Sequence, residues 1–329
     1  MEKFRRFLLR MTIFLLVLLC LTATLAVLKR TPVMEKIRNT EVYALAAGMK
    51  QELQKLYGEL REHLQAGKEE EEDMIGGKRS GIINILLIGQ DRRPGEESGR
   101  SDTMILCSFR PKDKTLTLTS FLRDLYVEIP GHGKNRINAA FRFGGKELLQ
   151  KTLQQNFSIF VDGTVLVDFD QFAAVVDALG GITLELREDE AREINRIVGS
   201  SLEPGSQLLR GDMALTYSRI RKLDADGDFS RTDRQRKVLS AILRQVKQAD
   251  MKDLKVLGKQ LLPHLDTDIG YLTALRIGGK VLPMLKTMEV HSQQIPASGE
   301  YSGQMIDGMS VLVPNMEKSR QRLKDTLLP

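Results

Sequence analysis

Carboxylates and guanidiniums recur where apolar runs of this 329-residue chain end. Asp91 follows the run 84–89, Arg100 and Asp102 stand immediately before 103–109, and Arg123 and Asp124 close 115–121. A side chain at the end of a strand can point into a cleft instead of the core, so three strand ends offer three carboxylates and two guanidiniums to one site. Residues 217–237 add Arg219, Arg221, Arg231, Arg234 and Arg236 around an acidic turn containing Gly227. Arg219 and Arg221 share a face only in extended structure, whereas Arg231 and Arg234 share a face of the helix that follows. Planar donors so placed suit a phosphate, which guanidinium binds in bidentate fashion. The alternative is a set of surface ion pairs, each contributing about 0–1 kcal/mol.

Other chemistries find less support. Asp224, Asp226 and Asp228 alternate like the opening of a calcium loop, but Phe229 stands where the sharp turn needs glycine and Gln235 where a bidentate Glu is needed. His63, His132, His264 and His291 are scattered, which suggests neither a zinc site nor a Ser-His-Asp arrangement, and no G-x-x-x-x-G-K-[ST] loop is present. Carboxylate, metal and arginine chemistry is what remains.

The elements that must position these residues are β-rich runs at 82–88, 103–109, 115–121, 164–169 and 182–186, separated by helical spacing at 148–156 and 171–179. After 202 the pattern is mainly helical, at 211–220, 231–248, 254–262 and 271–285, with late strands expected at 290–295 and 310–313. Helices and strands therefore mix in one α/β domain, a central sheet flanked by helices, over residues 80–329.

Residues 11–28 are apolar and uncharged, preceded by Lys3, Arg5, Arg6 and Arg10. Such a run suits a membrane anchor, which needs roughly 20 mostly apolar residues, and no small-x-small cleavage site follows it. The basic N-terminus, residues 1–10, then faces the cytoplasm, and the bulk of the chain lies outside. Residues 29–79 read as a helical stalk, with Met49, Leu53, Leu56, Leu60 and Leu64 on one seam, then an acidic run and a Gly76-Gly77 break. The two cysteines, Cys20 and Cys107, lie in the anchor and in a strand and are not expected to meet. The net charge of +6 suits a phosphate-rich polymer or anionic lipid; without an RNA-binding aromatic motif or zinc spacing, nucleic acid is not an expected partner.

Five blocks now carry a resemblance: NILLIGQDRR at 84–93, GRSDTM at 99–104, SFLRDLYVEIPG at 120–131, KNRINAAFRFGG at 134–145 and YSRIRKLDADGDFSRTDRQR at 217–236. Together they resemble the LytR-CpsA-Psr family of cell-wall assembly proteins, over roughly residues 82–245. The resemblance implies a membrane-anchored phosphotransferase that moves a glycopolymer, such as teichoic acid or capsule, from a polyprenyl-pyrophosphate carrier to peptidoglycan in a Gram-positive-type envelope. It implies Mg²⁺ at Asp91 and Asp102, pyrophosphate on Arg123, Arg219 and Arg221, and Arg231 and Gln235 completing the site. Arg100, Asp124, Lys134, Asn138 and Arg234 match further family positions, and Asp124 is a candidate base. The family often has proline before the Arg-Asp pair, where this chain has Leu122.

These roles are chemically coherent, because Mg²⁺ usually combines one or two carboxylates with phosphates and waters. A prenyl tail also needs an apolar slot, which 164–172 and 175–179 could line; core packing explains the same residues. The alternatives on the same site are a non-catalytic lipid-binding regulator and a pyrophosphatase with water as acceptor.

Overall fold

The computed structural model describes residues 54, 74–76, 81–91, 100–221, 223–224, 228–250, 252, 256, 258 and 265–328, and for Asp91 and Arg100 the backbone alone. The chain divides into two units, Met1–Glu70 and Glu71–Pro329, and every element named below belongs to the second. The expected anchor at 11–28 and nearly all of the expected stalk lie outside the described residues. Among those described, no helix is long and apolar enough to cross a membrane.

In chain order the elements begin with β1 (Ile83–Asp91), β2 (Arg100–Arg110), β3 (Thr115–Phe121), β4 (Tyr126–Ile129), β5 (Gly133–Arg136) and α1 (Ile137–Phe157). Next come β6 (Gly163–Val167), α2 (Phe169–Ala178), β7 (Ile182–Leu186), α3 (Glu188–Val198), β8 (Gly205–Leu209), α4 (Gly211–Arg219) and α5 (Asp228–Gln248). The chain continues with β9 (Asp266–Thr267), α6 (Tyr271–Val281), a 3-10 turn (Leu282–Thr287), β10 (Glu289–Ile295), β11 (Tyr301–Ile306), β12 (Met309–Pro314) and α7 (Met316–Leu327).

Six strands form one mixed sheet in the order β10-β3-β2-β1-β6-β9. β1 pairs antiparallel with β2 and parallel with β6, so the strand bearing Asp91 is central. Its continuous apolar run fits a strand covered on both faces. Leu86 and Ile88 enter one core with Met104, Leu106, Phe121 and residues of α1 and α7. Ile83 and Ile85 enter another with Ile105, Cys107, Leu116 and Leu118, covered by the 3-10 turn and the α5 residues Leu239, Leu243 and Val246. A third core lies among α2, α3, α4, α5 and the antiparallel pair β7–β8. Helix α5 contributes to two cores, Val238 and Ala241 to the helical one and Leu239 and Leu243 to the sheet.

The α/β expectation holds, with the sheet flanked by helices. Ile75 corrects the expected boundary at 79/80: it is fully buried in the first core and bridges to Ile159, so the folded unit already includes it. Asn84 fixes this entry, its side-chain amide donating to the carbonyls of Ile75 and Phe160 at 2.8 Å each. The expected strand 164–169 ends early. Asp168 caps α2 by accepting from the Gln171 amide at 2.8 Å, and Phe169 becomes the first helical residue. The expected helix around 254–262 lies almost wholly outside the described residues.

Candidate active site

Asp102 was expected just before a strand; it lies inside β2, at a β-bulge. Gly89 pairs with Thr103 and Gln90 with Ser101, which leaves Asp102 unpaired between them. A bulge re-aims one side chain out of the pleat. Here it turns Asp102 toward the cleft between the sheet and the helical layer. Gly89 permits the close approach, since a Cβ there would stand 2.9 Å from Thr103 Cβ.

Arg123 follows β3 on a turn held from several sides. Leu122 N–H donates to the Ile295 carbonyl at 3.0 Å, Asn138 N–H to the Arg123 carbonyl at 3.3 Å, and Leu312 N–H to the Asp124 carbonyl at 2.9 Å. Leu122 and Leu125 are both fully buried. Proline lacks the N–H that Leu122 uses here. The departure from the family pattern thus adds a hydrogen bond beneath the arginine.

Charges from four chain segments converge on this turn. Asp102 accepts from Arg123 at 3.0 Å through one carboxylate oxygen and from Arg221 at 3.1 Å through the other. Arg231 donates to the Asp102 backbone carbonyl at 3.2 Å and pairs with Asp228 at 2.6 Å. Arg123 lies 3.4 Å from Asp228 and 3.6 Å from Asp124. Burial alone would raise the Asp102 carboxyl, but Arg123, then Arg231 and Arg221, outweigh it and hold the group below the usual carboxylate range. At Asp228 burial wins over Arg231 and Arg123 and pushes the carboxyl up. Burial likewise pushes the Arg231 guanidinium down to about 10.

Beyond this cluster runs an apolar cleft of about 290 Å³. Leu87, Ile105, Val165 and Val167 of the sheet face Phe169, Phe172 and Val175 of α2 and Val238, Leu239 and Ile242 of α5. The two segments expected to line a slot therefore do so in part. Asp102, Arg219, Arg221, Arg231 and Gln235 line its polar end. Arg219, the last residue of α4, stacks over the Phe169 ring with its guanidinium carbon 4.3 Å from the centroid. Gly211 starts that helix against α2; a Cβ there would meet the Ala173 carbonyl oxygen at 2.4 Å. Arg231 Nε and Nη1 and Gln235 Oε1 are buried without hydrogen-bond partners. The two unsatisfied Arg231 donors beside an apolar cavity are what an anionic headgroup would complete, whereas Gln235 Oε1 awaits a donor.

Two expected site residues lie elsewhere. Arg234 does not face the cleft: its guanidinium is 2% exposed, donates to Glu190 at 2.8 Å and to the Ile220 carbonyl at 3.3 Å, and pairs with Asp224. Three positions along a helix bring Arg231 and Arg234 to one buried side, yet that side is wide enough to serve two sites. Asp124 is held between Arg123 and Arg136, the latter at 3.4 Å, and neither it nor Arg123 is part of the cleft lining; its two ion pairs fit positioning of Arg123 better than proton transfer. Lys134 lies exposed on β5, and Asn138 contributes its backbone to the Arg123 turn. Asp91 faces Arg100 across the β1–β2 ladder, which places both backbones next to the bulge; their side chains lie outside what is described.

Sequence reasoning missed Asp228 and Arg136, and it placed Phe169 in a possible slot wall without its stacking under Arg219. Asp228 carried a signal, an acid three residues before Arg231 at a helix start; Phe169 carried none beyond its apolar character.

A mixed α/β unit whose apolar cleft ends in a cage of arginines and carboxylates defines a protein built for an amphipathic ligand with an anionic head. The LytR_cpsA_psr family model matches residues 49–326, and the chain belongs to that family. It is 34% identical over 202 residues to the polyisoprenyl-teichoic acid–peptidoglycan teichoic acid transferase TagU of Oceanobacillus iheyensis, covering 58% of this chain and 61% of that one. The chain thus spans about three-fifths of that relative's length. It is 32% identical over 260 residues to the regulatory protein MsrR of Staphylococcus aureus, covering 76% of each. Among solved structures it resembles the LytR-CPS2A-psr family protein YwtF (TagT) with bound octaprenyl pyrophosphate lipid, with a TM-score of 0.60, 26% identity, and coverage of 78% of this chain and 95% of that one.

Proposed function

We propose that this protein is a membrane-anchored phosphotransferase that moves a glycopolymer, teichoic acid or capsule in kind, from a polyprenyl-pyrophosphate carrier to peptidoglycan. Residues 1–10 are its cytoplasmic tail, 11–28 its anchor and 29 to about 74 its stalk, with the catalytic unit outside the membrane of a Gram-positive-type envelope. The observation that carries the reading is the convergence of Arg123, Arg221 and Arg231 on Asp102 at the polar end of an apolar cleft. The names of the TagU relative and of the lipid-bound TagT structure point the same way.

The cleft would take the prenyl chain, and Arg219, Arg221, Arg231 and Gln235 the diphosphate. Their donors face a charge that grows on the bridging oxygen as the sugar phosphate leaves, and preorganised donors in a water-poor site act most strongly there. Asp102 holds Arg123 and Arg221 in place before substrate arrives. Among the described residues no three His, Cys, Asp or Glu side chains form a ready metal group. The oxygen donors nevertheless suit a hard cation, since Asp228 Oδ2 is buried without a hydrogen-bond partner, Oδ1 taking the ion pairs to Arg231 and Arg123, and Asp102 sits on the cleft edge. Mg²⁺ held by Asp102, with Asp91 or Asp228, would supply charge neutralisation at the diphosphate.

The test is transfer of labelled polymer to peptidoglycan by the reconstituted full chain. Arg123→Ala and Asp102→Ala should each lower turnover at least about a hundredfold while the protein stays folded; retained turnover in either overturns the reading. The regulatory name of the MsrR relative favours a second reading, a non-catalytic lipid binder. That reading requires tight binding of polyprenyl pyrophosphate with no transferred or hydrolysed product.

A further inference from the structure

Helix α6 is apolar on the side that nothing in the described structure covers. Tyr271, Leu272 and Leu275 are 77%, 79% and 56% exposed, and Leu282, which continues the helix into the 3-10 turn, is 45% exposed. The spacing of 272, 275 and 282 places them on one helical face, completed by the exposed Gly279. Single exposed leucines are ordinary on soluble proteins, but an aligned set on one short helix is not. The opposite face is anchored: Ile277 and Val281 pack on the sheet core, and so does Ile269 just upstream.

Charge identifies what the face would meet. From Tyr271 to Thr287 the chain carries Arg276, Lys280 and Lys286 and no acidic residue. All three cations are exposed beside the apolar residues, Arg276 also lying 3.6 Å from the buried Asp162 carboxylate. A second copy of this helix would set cations against cations. Cations flanking an apolar, tyrosine-bearing face match an anionic lipid surface, where long basic side chains reach the headgroups and leucines enter the acyl boundary.

Position supplies the remaining argument. Leu265 lines the apolar cleft, and β9 directly after it pairs with β6, whose Val165 and Val167 line the same cleft. Ile269 seats against Gly163 so closely that a Cβ there would lie 2.3 Å from Ile269 Cγ1. Five residues separate Leu265 in the cleft wall from Tyr271 on the exposed face. We propose that the exposed face of α6 docks on an anionic bilayer beside the cleft, so that a prenyl chain passes from lipid to cleft with little contact with water. The docking rests on the helix alone; the passage of the chain rests on the function proposed above.

Collisional quenching separates the two. In the full chain carrying Cys20→Ser, the remaining Cys107 is buried with its thiol pushed up to about 12, so it does not compete for a fluorescent label. Labels are placed singly at Leu272→Cys, Leu275→Cys and, on the exposed part of α3, Ile197→Cys. The protein is reconstituted in phosphatidylglycerol vesicles. Lipid-borne nitroxide should quench labels at 272 and 275 at least about threefold more than the label at 197, with aqueous iodide showing the reverse order. Equal iodide access at all three sites overturns docking. Protection at 272 from both quenchers that rises with protein density also overturns it, in favour of a protein-protein surface. Leu272→Ser with Leu275→Ser should lower transfer from a long-chain carrier in the bilayer about tenfold and leave transfer from a short-chain, water-soluble carrier unchanged. If the wild type transfers from neither carrier, the proposed function fails while the quenching result stands on its own.

Discussion

Arg231 shows most directly what the site costs the fold. It is 2% exposed, its Nε and Nη1 have no hydrogen-bond partner, and burial pushes its guanidinium down to about 10 while it remains charged at neutral pH. Nη2 alone is engaged, by Asp228 and the Asp102 carbonyl. Replacing both partners of a buried ion pair with apolar residues is often neutral or stabilising, whereas removing one is costly when the other is left buried and charged. Asp228, already shifted toward its protonated form by burial, can take up a proton when its partner is removed. Arg231→Met should therefore change unfolding free energy by less than about 1 kcal/mol, or raise it, while transfer falls at least about a hundredfold. Denaturant unfolding alongside a transfer assay checks both. A loss of stability near 3–5 kcal/mol would instead mean that the ion pair holds the fold. Arg234, also 2% exposed, differs in that Glu190, Asp224 and the Ile220 carbonyl engage its guanidinium.

At the scale of elements, Asp224 joins two parts of the helical layer. Its carboxylate pairs with Arg234 of α5 and, at 3.0 Å, with Arg187 at the entry to α3. Burial alone would raise this carboxyl, but Arg234 and then Arg187 outweigh it and lower it. A depressed carboxylate contributes stability that is present above its unfolded pKa, about 3.9, and is lost as pH falls through the lower folded value. Wild type should thus exceed Asp224→Asn in stability at pH 6, and the gap should close as pH drops below about 4. Urea unfolding at stepped pH measures it, and a gap that persists unchanged to pH 2.5 would remove the pair from the account. The same elements show what the sequence could reveal. Strands 115–121 and 182–186 are legible to the residue because apolar and β-branched residues fill them, and α5 is legible from 231 because its period is long, its first turn from Asp228 excepted. Strand β5, with exposed Gly133 and Lys134, and the largely exposed β11 have no apolar alternation to read, and β4 alternates over only four residues. The bulge at Asp102 depends on how β1 meets β2, a tertiary fact, so the residue was found while its place in the strand was not. Arg231 and Arg234 were assigned to one site because helical spacing gives the side of a helix, not the partner waiting there.

For the molecule as a whole, the cleft is a seam left open between two cores. Helix α5 sends Val238 to the helical core and Leu239 to the sheet core, and both residues also line the cavity between them. An apolar cavity forfeits the contacts that its lining would otherwise make, so the empty protein is less stable than the same fold with the seam filled. If the seam exists to receive a prenyl chain, ligand and side chain should compete for it. Val175 of α2 lines the cavity and is only partly buried, so its side chain can grow into the open space without entering the packed core. Val175→Phe should leave the melting temperature of the ligand-free protein unchanged or higher. Octaprenyl pyrophosphate at about a hundred times its dissociation constant should stabilise the wild type by about 2.7 kcal/mol, and Val175→Phe by far less. Inorganic pyrophosphate, which needs only the arginine cage, should bind both proteins alike. Thermal melts with each ligand decide the matter: an undiminished prenyl shift in Val175→Phe would place the lipid chain somewhere other than this seam, whereas loss of both shifts would mean that the substitution had disturbed the cage itself.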